Sequence, residues 1–268
     1  MKYKLIISDY DGTLGEAPVN NIDEQTLEAI RKFTENGGIF AVCSGRETSS
    51  IMRILKAHNI KGVVASFQGA RITEIESGKV IFKGGLSAEK ALEALDAVAY
   101  SNLTPIAYGD SELYVQEKNP YVAHYENAVM LDGKVTDIRG EVIRQGENVS
   151  KICWLGDDKV VCDVAKNLNK KYEGKGLKFN SGAKCLLEAI NPEHSKGNAV
   201  RIMAKYYGIP LEEVLTIGDS TNDIDLLVGP WHGVCVGDGR EELKAVADEI
   251  TVPFRDKPVK AIIEKYCL

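Results

Sequence analysis

No basic tract, no Cys-x-x-Cys pair and no apolar run of membrane-spanning length occurs in this 268-residue sequence. The formal net charge of -6 offers no diffuse attraction to nucleic acid or to anionic lipid, so any bound phosphate has to be captured by local groups. The six cysteines, Cys43, Cys153, Cys162, Cys185, Cys235 and Cys267, are scattered, and three of them lie in apolar strand-like runs. They read as buried thiols of a reducing compartment, neither disulfides nor zinc ligands. The four histidines, His58, His124, His194 and His232, show no metal-ligand spacing. The first apolar run, Leu5 to Ile7, is too short for a signal peptide. The expected location is the cytoplasm, with neither nucleic acid nor a membrane as partner.

That first run is where the chemistry begins. Leu5-Ile6-Ile7 reads as a strand buried on both faces, as at the centre of a parallel sheet, and it runs into Ser8-Asp9-Tyr10-Asp11-Gly12-Thr13. Ligands of such sheets collect beyond the carboxyl ends of the strands, where Asp9 and Asp11 stand. Two residues apart in extended chain, their carboxylates are expected to lean to one side and to require a cation or a proton. Asp11-Gly12 is equally a turn signal, so the reading depends on the rest of the chain.

After this strand come a helix over Asn21 to Gly38 with Asp23 as N-cap, a strand Ile39 to Cys43, a helix Glu47 to His58 and a strand Val63 to Ala65. This βαβαβ order predicts an α/β fold with a doubly wound, Rossmann-like parallel sheet. From about Val80 the rhythm changes. Strand-like segments at 79–82, 105–108, 112–116, 151–155, 177–179 and 185–190 mix with helices at 88–100 and 159–171, with turn signals at Gly109-Asp110, Asp132-Gly133 and Ser181-Gly182. This pattern predicts an inserted α+β domain. After Pro192 the βα rhythm returns, with helix Lys196 to Tyr207, strand Val214 to Ile217, helix Ile224 to Val228, strand Val234 to Val236 and helix Glu241 to Ala247.

Four segments place polar groups at element ends: Asp9 to Thr13, Ser44-Gly45-Arg46, Lys196-Gly197 and Gly218 to Asp223. Three directly follow apolar strands and would meet at one sheet edge, giving carboxylates for a cation, a hydroxyl and backbone N–H for an oxyanion, and an amide beside them. Lys196 opens a helix after Ser195 as N-cap, where a cation opposes the helix dipole by up to about 1 kcal/mol unless an anion is bound there. Taken singly, Ser44 is a strand-ending hydroxyl, Gly218-Asp219 a turn, and Arg46 and Lys196 solvated charges. Four together, in this order and each at an element end, point to a site.

With these residues the chain resembles the haloacid dehalogenase-like hydrolase superfamily, whose four motifs are matched in order by Asp-x-Asp-Gly-Thr at Asp9, Ser-Gly-Arg at Ser44, Lys-Gly at Lys196 and Gly-Asp-x-x-Asn-Asp at Gly218. The insertion between the second and third motifs is similar to the type IIB cap of Cof-type phosphatases, which implies a core over 1–83 and 193–268 and an α+β cap over 84–192. The resemblance implies that Asp9 is a nucleophile forming an aspartyl-phosphate and that Asp11 is the acid and then the base. It implies that Mg²⁺ binds the Asp9 and Asp219 carboxylates and the Asp11 carbonyl, with Asp223 acting through water or behind them. Ser44, the N–H groups of Tyr10 and Gly45, Asn222 and Lys196 would hold the phosphoryl oxygens, with Arg46 a candidate substrate contact.

Two positions depart from the pattern. Gln68-Gly69 stands where Cof-type chains carry Asn-Gly, and Phe254-Arg255-Asp256-Lys257 replaces their Asn-acidic-Gly tail. The expected activity is a Mg²⁺-dependent phosphatase acting on a small phosphorylated metabolite such as a sugar phosphate. The rivals are a phosphomutase, a non-catalytic phosphometabolite binder and a receiver-type signalling domain. Tyr108, Tyr114 and Lys184 are candidates for contacts that choose the leaving group.

Overall fold

A computed structural model describes residues 1–15, 19–109, 112–129, 131–146, 149–181 and 185–267. The turn positions Asp110 and Gly182 and the candidate Lys184 lie outside the described residues. The chain forms two compact units, one made of 1–83 with 195–268 and the other of 84–194.

The first unit begins with β1 (Leu5–Ser8), α1 (Glu24–Glu35), β2 (Ile39–Cys43), α2 (Thr48–Ala57), β3 (Val63–Ser66), β4 (Arg71–Glu74) and β5 (Val80–Lys83). The second unit contains α3 (Ala88–Val98), β6 (Thr104–Tyr108), β7 (Leu113–Val115), α4 (Pro120–Val129), β8 (Lys134–Val135), α5 (Ile138–Gln145), β9 (Lys151–Leu155), α6 (Asp158–Tyr172), β10 (Lys178–Asn180) and β11 (Leu186–Ile190). The chain then returns to the first unit with α7 (Lys196–Tyr207), β12 (Val214–Gly218), α8 (Ile224–Leu227), β13 (His232–Cys235), α9 (Glu241–Lys244), β14 (Glu249–Ile250) and α10 (Pro258–Tyr266). Among the described residues no helix is long and apolar enough to cross a membrane.

In the first unit the strand order is β14-β13-β12-β1-β2-β3-β4-β5. The first six run parallel, and β4 and β5 extend the sheet antiparallel. Leu5, Ile6 and Ile7 are all fully buried, yet they do not share a core. Ile6 packs with Phe40, Val42, Leu215 and residues of α1, α2 and α10, whereas Leu5 and Ile7 pack with Ala41, Cys43 and residues of α7, α8 and α9. Because side chains alternate across a strand, an unbroken apolar run is what a sheet covered on both faces needs. Helix α1 starts where Asp23 accepts from the N–H groups of Gln25 and Thr26 at 2.9 and 3.2 Å.

The second unit is a sheet of order β10-β11-β9-β6-β7-β8, antiparallel except for the β7–β8 pair. Ala107, Tyr114, Ile152, Trp154, Leu187 and Ala189 share a core with residues of α3, α5 and α6. Residues of opposite phase are also buried, and they include polar groups. Lys151 pairs with Glu188 and lies 5.4 Å from the centre of the Tyr108 ring, and the Tyr108 and Tyr125 hydroxyls are 2.9 Å apart. Burial disfavours the Lys151 charge, but Glu188 together with Cys153 and Tyr108 outweighs it and holds the ammonium pKa above its ordinary value. Tyr114, a candidate leaving-group contact in the sequence, packs instead in the helix-covered core and donates to Glu112 at 2.5 Å.

Candidate active site

Parallel pairing puts the ends of β1, β2 and β12 side by side. Ser8 lies opposite Val42 and Ile217, and Asp9 N–H donates to Ile217 O at 2.9 Å. The residues following those ends are Asp9, Ser44 and Asp219. Lys196 joins them from the first turn of α7, where Ser195 caps the helix by accepting from Asn198 N–H.

Lys196 is 1% exposed. Its Nζ donates to Asp9 Oδ1 at 2.7 Å and to Asp223 Oδ1 at 2.6 Å. Asp223 Oδ2 accepts from the N–H groups of Asp219 and Ser220, both at 3.1 Å, so both of its oxygens are engaged within the protein. Asp219 is anchored by Thr13, whose hydroxyl donates to Oδ1 at 3.1 Å. The unfavourable position of a lysine at a helix start is therefore compensated by two aspartates of the chain itself. Burial opposes the Lys196 charge, but Asp223 and Asp9 prevail and hold its pKa well above the ordinary value.

Asp9, Asp219 and Asp223 offer oxygens that all lie within 4.8 Å of one another. Burial pushes the Asp9 carboxyl well above the usual range and Asp223 adds to it, against the pull of Lys196. Burial and then Asp223 push Asp219 up to about 6. Three carboxylates against one ammonium carry a surplus of negative charge, and an oxygen-only set of this kind suits a hard divalent cation. The close approach of the backbone fits the same reading. At Gly12, φ +80°, a Cβ would stand 2.6 Å from Asp219 Oδ2.

Asp11 departs from the expected crowding with Asp9. The like charges acting on Asp9 are Asp223 and Asp219. Asp11 turns instead to Arg46, whose Nε and Nη2 donate to its two oxygens at 2.8 and 2.6 Å. Arg46 Nη1 donates to Asn20 Oδ1 at 2.8 Å, and the guanidinium lies 4.7 Å from the centre of the Tyr10 ring. Charge-assisted forks of this kind are short and directional, which explains why the pair forms once β2 brings Arg46 to the edge. Ser44 Oγ accepts from Arg46 N–H at 3.2 Å, and Asn222 Nδ2 donates to Gln68 Oε1 at 3.3 Å. Asn20 and Gln68 thus touch the candidate residues although their sequence context marks neither as a partner. The signal for Gln68 was its departure from Asn-Gly, and Asn20 carried none.

The sequence matches the haloacid dehalogenase-like hydrolase family over residues 6–263, and the chain belongs to that family. Within it, the chain is a phosphatase of the Cof type, a phosphoric monoester hydrolase. It is 26% identical over 267 residues to a Haemophilus influenzae protein that carries a phosphatase name, covering 99% of this chain and 98% of that one. It is 23% identical over 249 residues to the HMP-PP phosphatase of Klebsiella pneumoniae, covering 93% of this chain and 89% of that one. A solved sugar phosphatase of subclass IIB has the same fold, with a TM-score of 0.81 at 19% identity over 98% of both chains.

Proposed function

We propose that this phosphatase is a Mg²⁺-dependent phosphomonoesterase that releases phosphate from a small phosphorylated metabolite, of the sugar phosphate kind, through an aspartyl-phosphate on Asp9. The observation that carries the reading is the cluster of buried Asp9, Lys196 and Asp223 with half-buried Asp219, in which a nucleophile candidate is oriented by one ammonium among surplus carboxylates. Asp9 and Asp219 through their carboxylates and Asp11 through its backbone carbonyl would hold Mg²⁺, with Asp223 behind them. The cation would offset the charge of the phosphoryl oxygens.

Asp9 attacks phosphorus and the leaving oxygen departs with a proton from Asp11; Asp11 then takes a proton from the water that cleaves the acyl phosphate. Ser44, the N–H groups of Tyr10 and Gly45, Asn222 and the remaining proton of Lys196 stabilise the phosphoryl oxygens. Both Asp11 oxygens accept from Arg46 in the structure, so delivery of a proton requires Asp11 to surrender at least one of these bonds. Arg46 is further anchored to Asn20 and Tyr10, which makes the half-exposed Asp11 the partner that moves.

The test is phosphate release from a panel of phosphorylated metabolites, with Mg²⁺ and after chelation, by the native protein and by Asp9→Asn. Release that needs the cation and falls by several orders of magnitude in Asp9→Asn is expected. Substantial turnover by a cleanly prepared Asp9→Asn protein would rule out the covalent route, and an isomerised product without free phosphate would make the protein a mutase.

A further inference from the structure

Strand β3 ends in a backbone conformation that two of its next three residues resist. Phe67, Gln68 and Gly69 follow one another at φ +51°, +60° and +99°. Glycine takes such values freely, whereas phenylalanine and glutamine crowd their Cβ against the backbone. Tight reversals are ordinarily made with Gly, Asn or Asp, so turning β3 into antiparallel β4 does not by itself call for this choice. What the conformation achieves is the placement of a side chain.

Gln68 is 7% exposed. Its N–H donates to Ser44 O at 3.0 Å, and its Oε1 accepts from Asn222 Nδ2 at 3.3 Å. The Nε2 end lies against Gly45, where a Cβ would stand only 2.4 Å from it. The neighbouring Phe67 N–H donates to Arg46 O at 2.9 Å. One residue therefore touches both the loop after β2, with Ser44 and Gly45, and the turn after β12, with Asn222. Gln68 and Asn222 are 154 residues apart, and among the described residues no regular strand pairing joins the two loops beyond the sheet edge.

We infer that Gln68 is a positioning residue of the phosphate cradle, its amide setting Asn222 and the Gly45 N–H in place, and that the left-handed backbone is retained for the sake of that side chain. This rests on the proposed phosphate role of Ser44, Gly45, Asn222 and Lys196. A strained conformation held at a site is explained when the group it presents is used. Gln68 acts through its neighbours on whatever phosphate is bound, so it affects all substrates alike and leaves their ranking unchanged.

The experiment compares Gln68→Asn and Gln68→Gly with the native protein, each with Mg²⁺ bound. Inhibition of aryl phosphate hydrolysis by inorganic phosphate is measured beside kcat/KM and Tm. Asparagine and glycine both accept the left-handed conformation, so Tm is expected to hold or rise while the inhibition constant for phosphate rises and kcat/KM falls by about 10-fold, the loss of one hydrogen-bonded support. In an Asn222→Ala background the same changes are expected to add less than about 2-fold, because the two residues act as a unit. A fall in Tm in both variants, unchanged phosphate inhibition, or full additivity with Asn222→Ala overturns the proposal. Asn222→Ala and Lys196→Met serve as controls for the parent reading. If neither weakens phosphate inhibition, the cradle itself is wrong and both readings fall; if they weaken it and the Gln68 variants do not, only the role of Gln68 is lost.

Discussion

Replacing Asp219 by asparagine is expected to stabilise the metal-free protein at neutral pH while abolishing its activity. Burial and the neighbouring Asp223 carry the Asp219 carboxyl from 3.8 to about 6 in the folded chain. Well below pH 3.8 the group is protonated whether the chain is folded or not. Between about 4 and 6 the unfolded chain releases a proton that the folded chain retains, so stability falls as pH rises, and above 6 the full loss is in place. A rise of about two units is worth about 3 kcal/mol. Asparagine keeps an acceptor for Thr13 and has no proton to lose, so the advantage of Asp219→Asn over the native protein should grow from near zero at pH 4 to about 3 kcal/mol at pH 7.5. Urea unfolding in chelator measures this difference. The two tryptophans fall one in each unit, so Trp231 fluorescence in a Trp154→Phe background reports the unit that holds the site. Saturating Mg²⁺ should reverse the order at pH 7.5, because binding to the folded native protein stabilises it and the variant binds poorly. A difference that stays flat with pH in chelator, or that favours the native protein there, would refute the argument.

Three further outcomes are expected. Asp11→Asn should lower turnover of alkyl phosphates by about 10²- to 10⁴-fold and of activated aryl phosphates far less; equal losses for both leaving groups would show that Asp11 does not serve proton transfer. Mg²⁺ should restore activity to chelated protein where Ca²⁺ serves poorly, since Ca²⁺ prefers a larger and looser shell, and equal activity with either ion would count against this donor set. In the inserted unit, Lys151→Met should cost about 3–5 kcal/mol by leaving Glu188 buried and unpaired, whereas joining it to Glu188→Leu should recover most of that; urea unfolding followed by Trp154 decides.

The parallel core was legible because burial on both faces writes itself as unbroken apolar runs such as Leu5 to Ile7 and Ile39 to Cys43. Helix starts were legible where a short acceptor precedes the run, as at Asp23 and Ser195. Helix α4 was missed because Val122 is its only buried residue, so it has no apolar stripe to read, and β4 was missed because Arg71–Glu74 owes its strand state to pairing with β3 and β5. In the site, residue types at strand ends pointed to the cluster, but the partners did not follow from spacing. Arg46 takes the Asp11 carboxylate from 35 residues away, and Lys196 bridges two aspartates 187 and 27 residues distant. The left-handed Gln68 is likewise a tertiary outcome, set by contacts with Ser44 and Asn222.

The distance between Asp9 and its neighbours also governs how the protein is made. Strand β1 leaves the ribosome first, but Lys196 comes 187 residues after Asp9, a delay of roughly 10–40 s at ordinary rates of synthesis. Throughout that interval β1 has β2 on one side and an open edge on the other, where β12 will later dock. The intervening 84–194 is continuous in sequence and can collapse on its own while the nascent amino-terminal half waits. Insertion of β12 beside β1 then comes late, with β13 and β14 adding beyond it, and it brings the acidic groups together only when Lys196 is already present to hold them. A chain truncated before Lys196 should expose that apolar edge and aggregate, and co-translational capture of β1 by chaperones would be the corresponding sign in the cell.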